Sequence, residues 1–159
     1  MSKKLKAYYL CDALGIKFTN YNPNPVDDIK DHYDCAVRAL TRAFNKDYDT
    51  VYFDLIRKAI PYRYAPDQVD VVAEVIKDYG GKQLKDRIEM VATFCARHMS
   101  GTYIIVTNWH IVAYVDGTLC DNYFILTDGE DARSVIDNYI MEQVLAVFKV
   151  PTTKENKNE

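Results

Sequence analysis

A cysteine thiol becomes a useful nucleophile when its thiolate is stabilised and a base sits beside it. The chain offers four thiols, Cys11, Cys35, Cys95 and Cys120, and three imidazoles, His32, His98 and His110. Only Cys35 is placed by pattern at a helix start. Ala36, Val37, Leu40, Ala43 and Phe44 recur at helical spacing after Asp34, a residue suited to the N-cap, with Arg38 and Arg42 on the other side. Such a first turn presents unpaired backbone N–H groups and the positive end of the helix dipole. Asp34 opposes this, because a neighbouring carboxylate disfavours a second negative charge; capping would reduce that penalty.

His110 offers the sharpest geometry for the base. Trp109 to Val115 and Thr118 to Phe124 are strand-like, and Asp116-Gly117 between them is a strong hairpin signal. A two-residue loop puts Val115 opposite Thr118, Val112 opposite Asp121 and His110 opposite Tyr123. His110, Val112 and Tyr114 then share a face with Leu119, Asp121 and Tyr123, and His110 and Asp121 become diagonal neighbours about 7–8 Å apart at the backbone. A carboxylate there could hold one ring nitrogen and leave the other for a thiol. A three-residue loop would make Asn122 the partner instead, so the register decides the third member. Trp109 alternates to the opposite face and reads as sheet packing.

The elements that must carry these residues follow from periodicity. A short element at about Ala7 to Leu14 precedes an irregular stretch to about Lys30, with a loop signature at Asn20–Pro25. Further helices are expected from Thr50 to Ala59 with Asp49 as cap, from Asp67 to Gly80-Gly81, and beyond Asp86 and Glu89 with the stripe Met90, Val91, Phe94, Cys95 and His98. Strands follow at Thr102–Val106, in the hairpin and at Val144–Val150. Helices first and antiparallel strands later indicate α+β, with residues 1–151 as a single domain and 152–159 as a charged, mobile tail.

Asp34-Cys35-Ala36-Val37-Arg38-Ala39-Leu40, Asn45-Lys46-Asp47-Tyr48, Val51-Tyr52, Gly101-Thr102-Tyr103-Ile104 and His110 to Gly117, on to Asp121, resemble small bacterial and phage proteins of the papain-like cysteine peptidase superfamily. The resemblance spans roughly Asp34 to Tyr123. It implies a papain-like architecture, N-terminal helices packed on a small antiparallel sheet, and a catalytic triad of Cys35, His110 and Asp121. Cys35 would attack a carbonyl, His110 shuttle the proton and Asp121 orient the ring. The implied activity is that of a thiol protease or related hydrolase acting on a peptide, isopeptide or other amide, with a protein or peptide as substrate. The alternatives are acyl transfer to an amine, or a papain-like binding module without turnover, encoded by a bacteriophage and engaging a host protein. One departure favours the last: papain-like enzymes commonly place Gln or Asn shortly before the nucleophile, and Ile29 to Tyr33 has neither. Asn22, Asn24, His32, Tyr33 and the backbone N–H of Cys35 are the remaining candidate oxyanion donors.

Composition narrows the field. In 159 residues, 48% are apolar and 27% charged, which suits a folded soluble chain. A formal charge of -3 gives no broad basic face, so nucleic acid is not the expected partner. Apolar runs are too short for a bilayer, and Met1 to Lys6 lacks the apolar core of a secretory signal, so a cytoplasmic location is expected, in a bacterial or phage-infected cell on the resemblance. No Cys-x-x-Cys pair or disulfide framework is present. A site of His32, Cys35, His110 and Asp121 matches no common zinc spacing, so neither metal nor cofactor is expected. Cys11, Cys95 and Cys120 read as packing residues. Tyrosine is over-used, at 13 residues, and Tyr21, Tyr62 and Tyr64 in loops are candidates to line a cleft.

Overall fold

A computed structural model describes residues 9–26, 34–84, 89–122 and 132–152. The elements in chain order are α1 (Leu10–Ala13), β1 (Lys17–Asn20), α2 (Cys35–Phe44), α3 (Tyr48–Ala59), α4 (Val69–Asp78), β2 (Lys82–Gln83), α5 (Val91–Arg97), β3 (Thr102–Val106), β4 (Ile111–Val115), β5 (Thr118–Asp121), α6 (Ala132–Ile140) and β6 (Ala146–Val150). The fold class is α+β. Among the described residues the strands form one six-stranded sheet in the order β1-β5-β4-β3-β6-β2. It is mixed rather than antiparallel throughout, because β1 runs parallel to β5 from Lys17↔Thr118 to Asn20↔Asp121. The stretch expected to be irregular therefore contains an edge strand. Lys17-Phe18-Thr19-Asn20 is short and mostly exposed, so no apolar alternation marks it.

Strand alternation divides the core into two layers. Ile104, Val106, Ile111, Ala113, Cys120, Ala146, Phe148 and Val150 pack with α2, α3 and α4. Tyr103, Ile105, Val112, Tyr114, Leu119 and Val147 face the opposite way, onto α5, α6 and Cys11. Helices thus cover both sides, and the helices that follow the sequence pattern best, α2 to α4, cover only one. Thr118 to Cys120 pairs with β4 as expected, Asp121 pairs with Asn20 of β1, and Tyr123 and Phe124 lie outside the described residues.

The hairpin forms in the two-residue register. Val115 pairs with Thr118, Tyr114 with Leu119 and Ala113 with Cys120. Asp116 and Gly117 have φ of 45° and 81°, the left-handed pair that a type I′ turn requires. At its other end, α2 stops at Asn45 in the left-handed region (φ 50°). The α3 cap differs from expectation: the Asp47 side chain, not Asp49, accepts from the Thr50 N–H, and the helix begins at Tyr48. Helix α5 starts at Val91 with no side-chain cap, and Asp86 lies outside the described residues.

Candidate active site

Cys35 occupies the first position of α2, where the opening N–H groups of a helix lack intrahelical partners. The helix lies across β4 and touches β3 and β5. Its buried face is Ala36, Val37, Ala39 and Leu40, which fixes its depth against the sheet. Cys35 is half-buried, whereas Cys11, Cys95 and Cys120 are fully buried.

His110 precedes β4, in the tight turn from β3 closed by the Thr107 N–H to the His110 carbonyl at 2.9 Å. Asp121 is the last residue of β5, so both stand at one end of the same strand pair. The His110 Nε2 pairs with Asp121 Oδ2. That leaves Nδ1 for another partner, and His110 is hydrogen-bonded to the Cys35 side chain as well. Behind the imidazole, Tyr139 of α6 packs edge-on at 5.9 Å between ring centres. The three residues expected to form the triad are thus brought together, with Asp121 rather than Asn122 as the carboxylate partner. Asn122 contributes a backbone hydrogen bond to Asp121.

Burial would push the imidazole toward its neutral form. Hydrogen bonds to Asp121 and Cys35, with the electrostatic pull of both, outweigh burial and lift His110 from 6.5 to about 9. Asp121 moves oppositely. Burial raises it, but the hydrogen bond and charge of His110, the charge of Arg38 and the Asn122 backbone together hold it below the ordinary carboxylate range. The two shifts run in opposite directions, as an imidazolium–carboxylate pair requires.

Sequence reading placed Arg38 on the outer side of α2; it is instead buried, at 4% exposure. Its Nε donates to Asp121 Oδ1 at 3.0 Å and its Nη1 to Asp34 Oδ1. One guanidinium therefore bridges Asp121 to Asp34, the residue before Cys35, a use of the planar donor fork that lysine cannot reproduce. Asp34 holds the N-cap position but makes no side-chain capping bond. Its carboxylate accepts from Arg38, from Tyr48 Oη at 3.0 Å and from Asn24 Nδ2 at 3.2 Å. The charge expected to oppose a thiolate is compensated by Arg38. The i, i+4 spacing of Asp34 and Arg38 was the available sequence signal.

Asn24 shows that the Pro-rich loop folds back to the start of α2, with its amide engaged by Asp34. Asn22 Oδ1 accepts from the Asn24 N–H at 3.2 Å. His32 and Tyr33 lie outside the described residues. Trp109 does not pack on the sheet; it is 83% exposed at the tip of the β3–β4 turn, beyond the alternation of β4. Tyr62 and Tyr64 stack on each other at 6.0 Å and are exposed, and Tyr21 lies under Arg42. None of these tyrosines contacts the triad among the interactions of the described residues. Burial pushes Cys11 and Cys95 up to about 12 and raises Cys120 as well, so three of the four thiols are held protonated.

Comparison with protein-family models, curated proteins and solved structures found no match. Among the described residues, no helix is long and apolar enough to cross a membrane.

Proposed function

We propose that this protein is a papain-like, thiol-dependent hydrolase acting on a peptide, isopeptide or other amide bond. The observation that carries the reading is His110, held by Asp121 through one nitrogen and hydrogen-bonded to Cys35. In the forward step Cys35 Sγ attacks the carbonyl carbon while His110 holds the thiol proton. The tetrahedral adduct collapses to a thioester, the C–N bond breaks, and His110 delivers that proton to the departing amine. Water then attacks the thioester, His110 takes its proton and returns it to sulfur, and a carboxylic acid leaves. Asp121 keeps the ring oriented and stabilises its cationic form, and Arg38 holds Asp121 in place. The Cys35 backbone N–H at the helix start is a candidate oxyanion donor.

A second reading, a binding module of the same architecture that has lost turnover, is favoured by one observation. The Asn24 amide, one of the candidate oxyanion donors, is bonded to Asp34. Host proteins would be its partners if the chain comes from a phage.

Iodoacetamide labelling followed by peptide mass mapping tests the nucleophile. Cys35 is expected to react first among the four cysteines, and His110→Ala to slow it by about 10²-fold. Equal labelling of all four thiols in the folded protein overturns the hydrolase reading. Rapid, His110-dependent labelling without release of product from a peptide mixture selects the binding module, and capture of a partner by Cys35→Ala from host lysate would identify it.

A further inference from the structure

A cavity of about 310 Å³ opens beside the start of α2. One wall is Ala36 and Val37, the residues immediately after the nucleophile. Tyr48 and Tyr52 of α3 form another, and Pro66 and Asp67 close it from the loop before α4. The two tyrosines are one turn apart and stack at 6.3 Å with planes within 9°. Asp34 reaches the same cavity, but its carboxylate is taken up by Arg38, Tyr48 and Asn24.

Asp67 is different. It is exposed, and among the described residues no ion pair engages it. The cavity therefore combines apolar and aromatic walls with a single uncompensated negative charge. An aliphatic stem lies well along such walls while its charged end stays near water. A cation gains from both the ring faces and the carboxylate, whereas an anionic end is repelled by Asp67. A purely apolar side chain would leave Asp67 unused.

We propose that this cavity seats a lysine or arginine side chain of the substrate, next to the carbonyl that Cys35 attacks. This rests on Cys35 being the nucleophile. It adds a selectivity for cationic residues that the triad does not itself imply.

The test compares three peptidyl acyloxymethyl ketones that differ only in the residue bearing the reactive group: lysine, norleucine or glutamate. Labelling of Cys35 is expected to run fastest with lysine, about three- to tenfold over norleucine, and slowest with glutamate. Asp67→Asn should erase the gap between lysine and norleucine, and Asp67→Lys should move the preference to glutamate. Because Asp67 is on the surface, neither substitution threatens folding. Normal, His110-dependent iodoacetamide labelling with equal rates for the three ketones overturns the cationic pocket and leaves the nucleophile standing. A lysine preference that survives Asp67→Asn also overturns it, since the cation would then be bound elsewhere. Loss of His110-dependent labelling altogether overturns both readings.

Discussion

Among the described residues there are two cysteine–histidine neighbourhoods, and only one sets its sulfur and imidazole among charged partners. Cys95 and His98 lie three residues apart on and just beyond α5, a spacing that makes side chains neighbours on a helix. Cys35 and His110 are 75 positions apart in sequence and meet only through the sheet. Yet Cys95 is fully buried in an apolar layer, with its thiol pushed to about 12 by burial. His98 is occupied by the Phe94 carbonyl, 2.9 Å from Nδ1, and stacks on the Phe94 ring at 4.1 Å. Around Cys35 and His110 stand a carboxylate, a guanidinium and a second carboxylate, with partial access to water. Proximity of sulfur and imidazole is therefore not the deciding quantity. What separates the two is whether a charge created on either group meets a counter-charge.

The largest effect should be kinetic. At pH 7.5 a thiol titrating near 12 is ionised in about one molecule in 10⁴–10⁵, so Cys95 should stay unmodified while the protein is folded. Timed alkylation at that pH should show Cys35 reacting orders of magnitude sooner than Cys95. Comparable rates at the two sites would erase the contrast.

Next in size is the guanidinium. Arg38→Met leaves the Asp34 and Asp121 carboxylates buried without their shared cation. Breaking a buried pair from one side costs about 3–5 kcal/mol. Urea melts should show the midpoint falling accordingly, while Arg38→Lys should recover part of the stability, having the charge but not the two-pronged geometry. Full stability in Arg38→Met would mean that the network contributes nothing to the fold, and that the two neighbourhoods differ only in exposure.

Much of this contrast was legible in the chain, for local reasons. Helix α2 announces itself by its apolar stripe, and the Asp116-Gly117 turn fixes the register that puts His110 within reach of Asp121. These signals depend on residues close in sequence. Arg38 was not legible as a buried group, because its burial is set by a carboxylate 83 positions away and by the end of the sheet. Trp109 failed for the opposite reason: alternation was extended past the point where β4 begins, into a turn where period two has no meaning. Strand β1 was missed because an exposed edge strand needs no apolar face; its pairing with β5 is a matter of backbone bonds alone. Papain-like architecture rested on motif order, and the parallel edge strand and the helices on the second face lie beyond those motifs.

The pH dependence sharpens the comparison at a smaller scale. His110 titrates higher folded than unfolded, so its contribution is complete below 6.5 and disappears as pH rises through about 9. Asp121 titrates lower folded than unfolded, so its contribution is complete above 3.8 and is lost as pH falls below that. The site should thus stabilise the fold most between roughly pH 4 and 6.5, by an amount on the order of 3 kcal/mol for the imidazole. Chemical denaturation across pH should show this decline on the alkaline side, and Asp121→Asn should flatten it. Following the His110 ring protons by NMR separates the causes: Asp121→Asn should lower its pKa more than Cys35→Ala does, since Asp121 supplies the largest upward influence. A His110 pKa unmoved by either change would show that the ring is not paired as the geometry has it.

The smallest effect should come from the other histidine. His98 ends α5, where its ring covers Phe94 and its Nδ1 meets the last turn of the helix. Replacing it with glutamine removes the stacked ring but leaves a group able to bond the same carbonyl, so a loss of about 1 kcal/mol is expected, within the usual range for an aromatic contact. Alkylation of Cys35 should not change, because no group of the His110–Asp121–Arg38 chain touches α5 in the hydrogen bonds and ion pairs of the described residues. A slowed Cys35 in His98→Gln would mean that the two neighbourhoods are coupled through Phe94, Tyr103 and Tyr114 across the sheet, and that the imidazole of α5 is part of the same device.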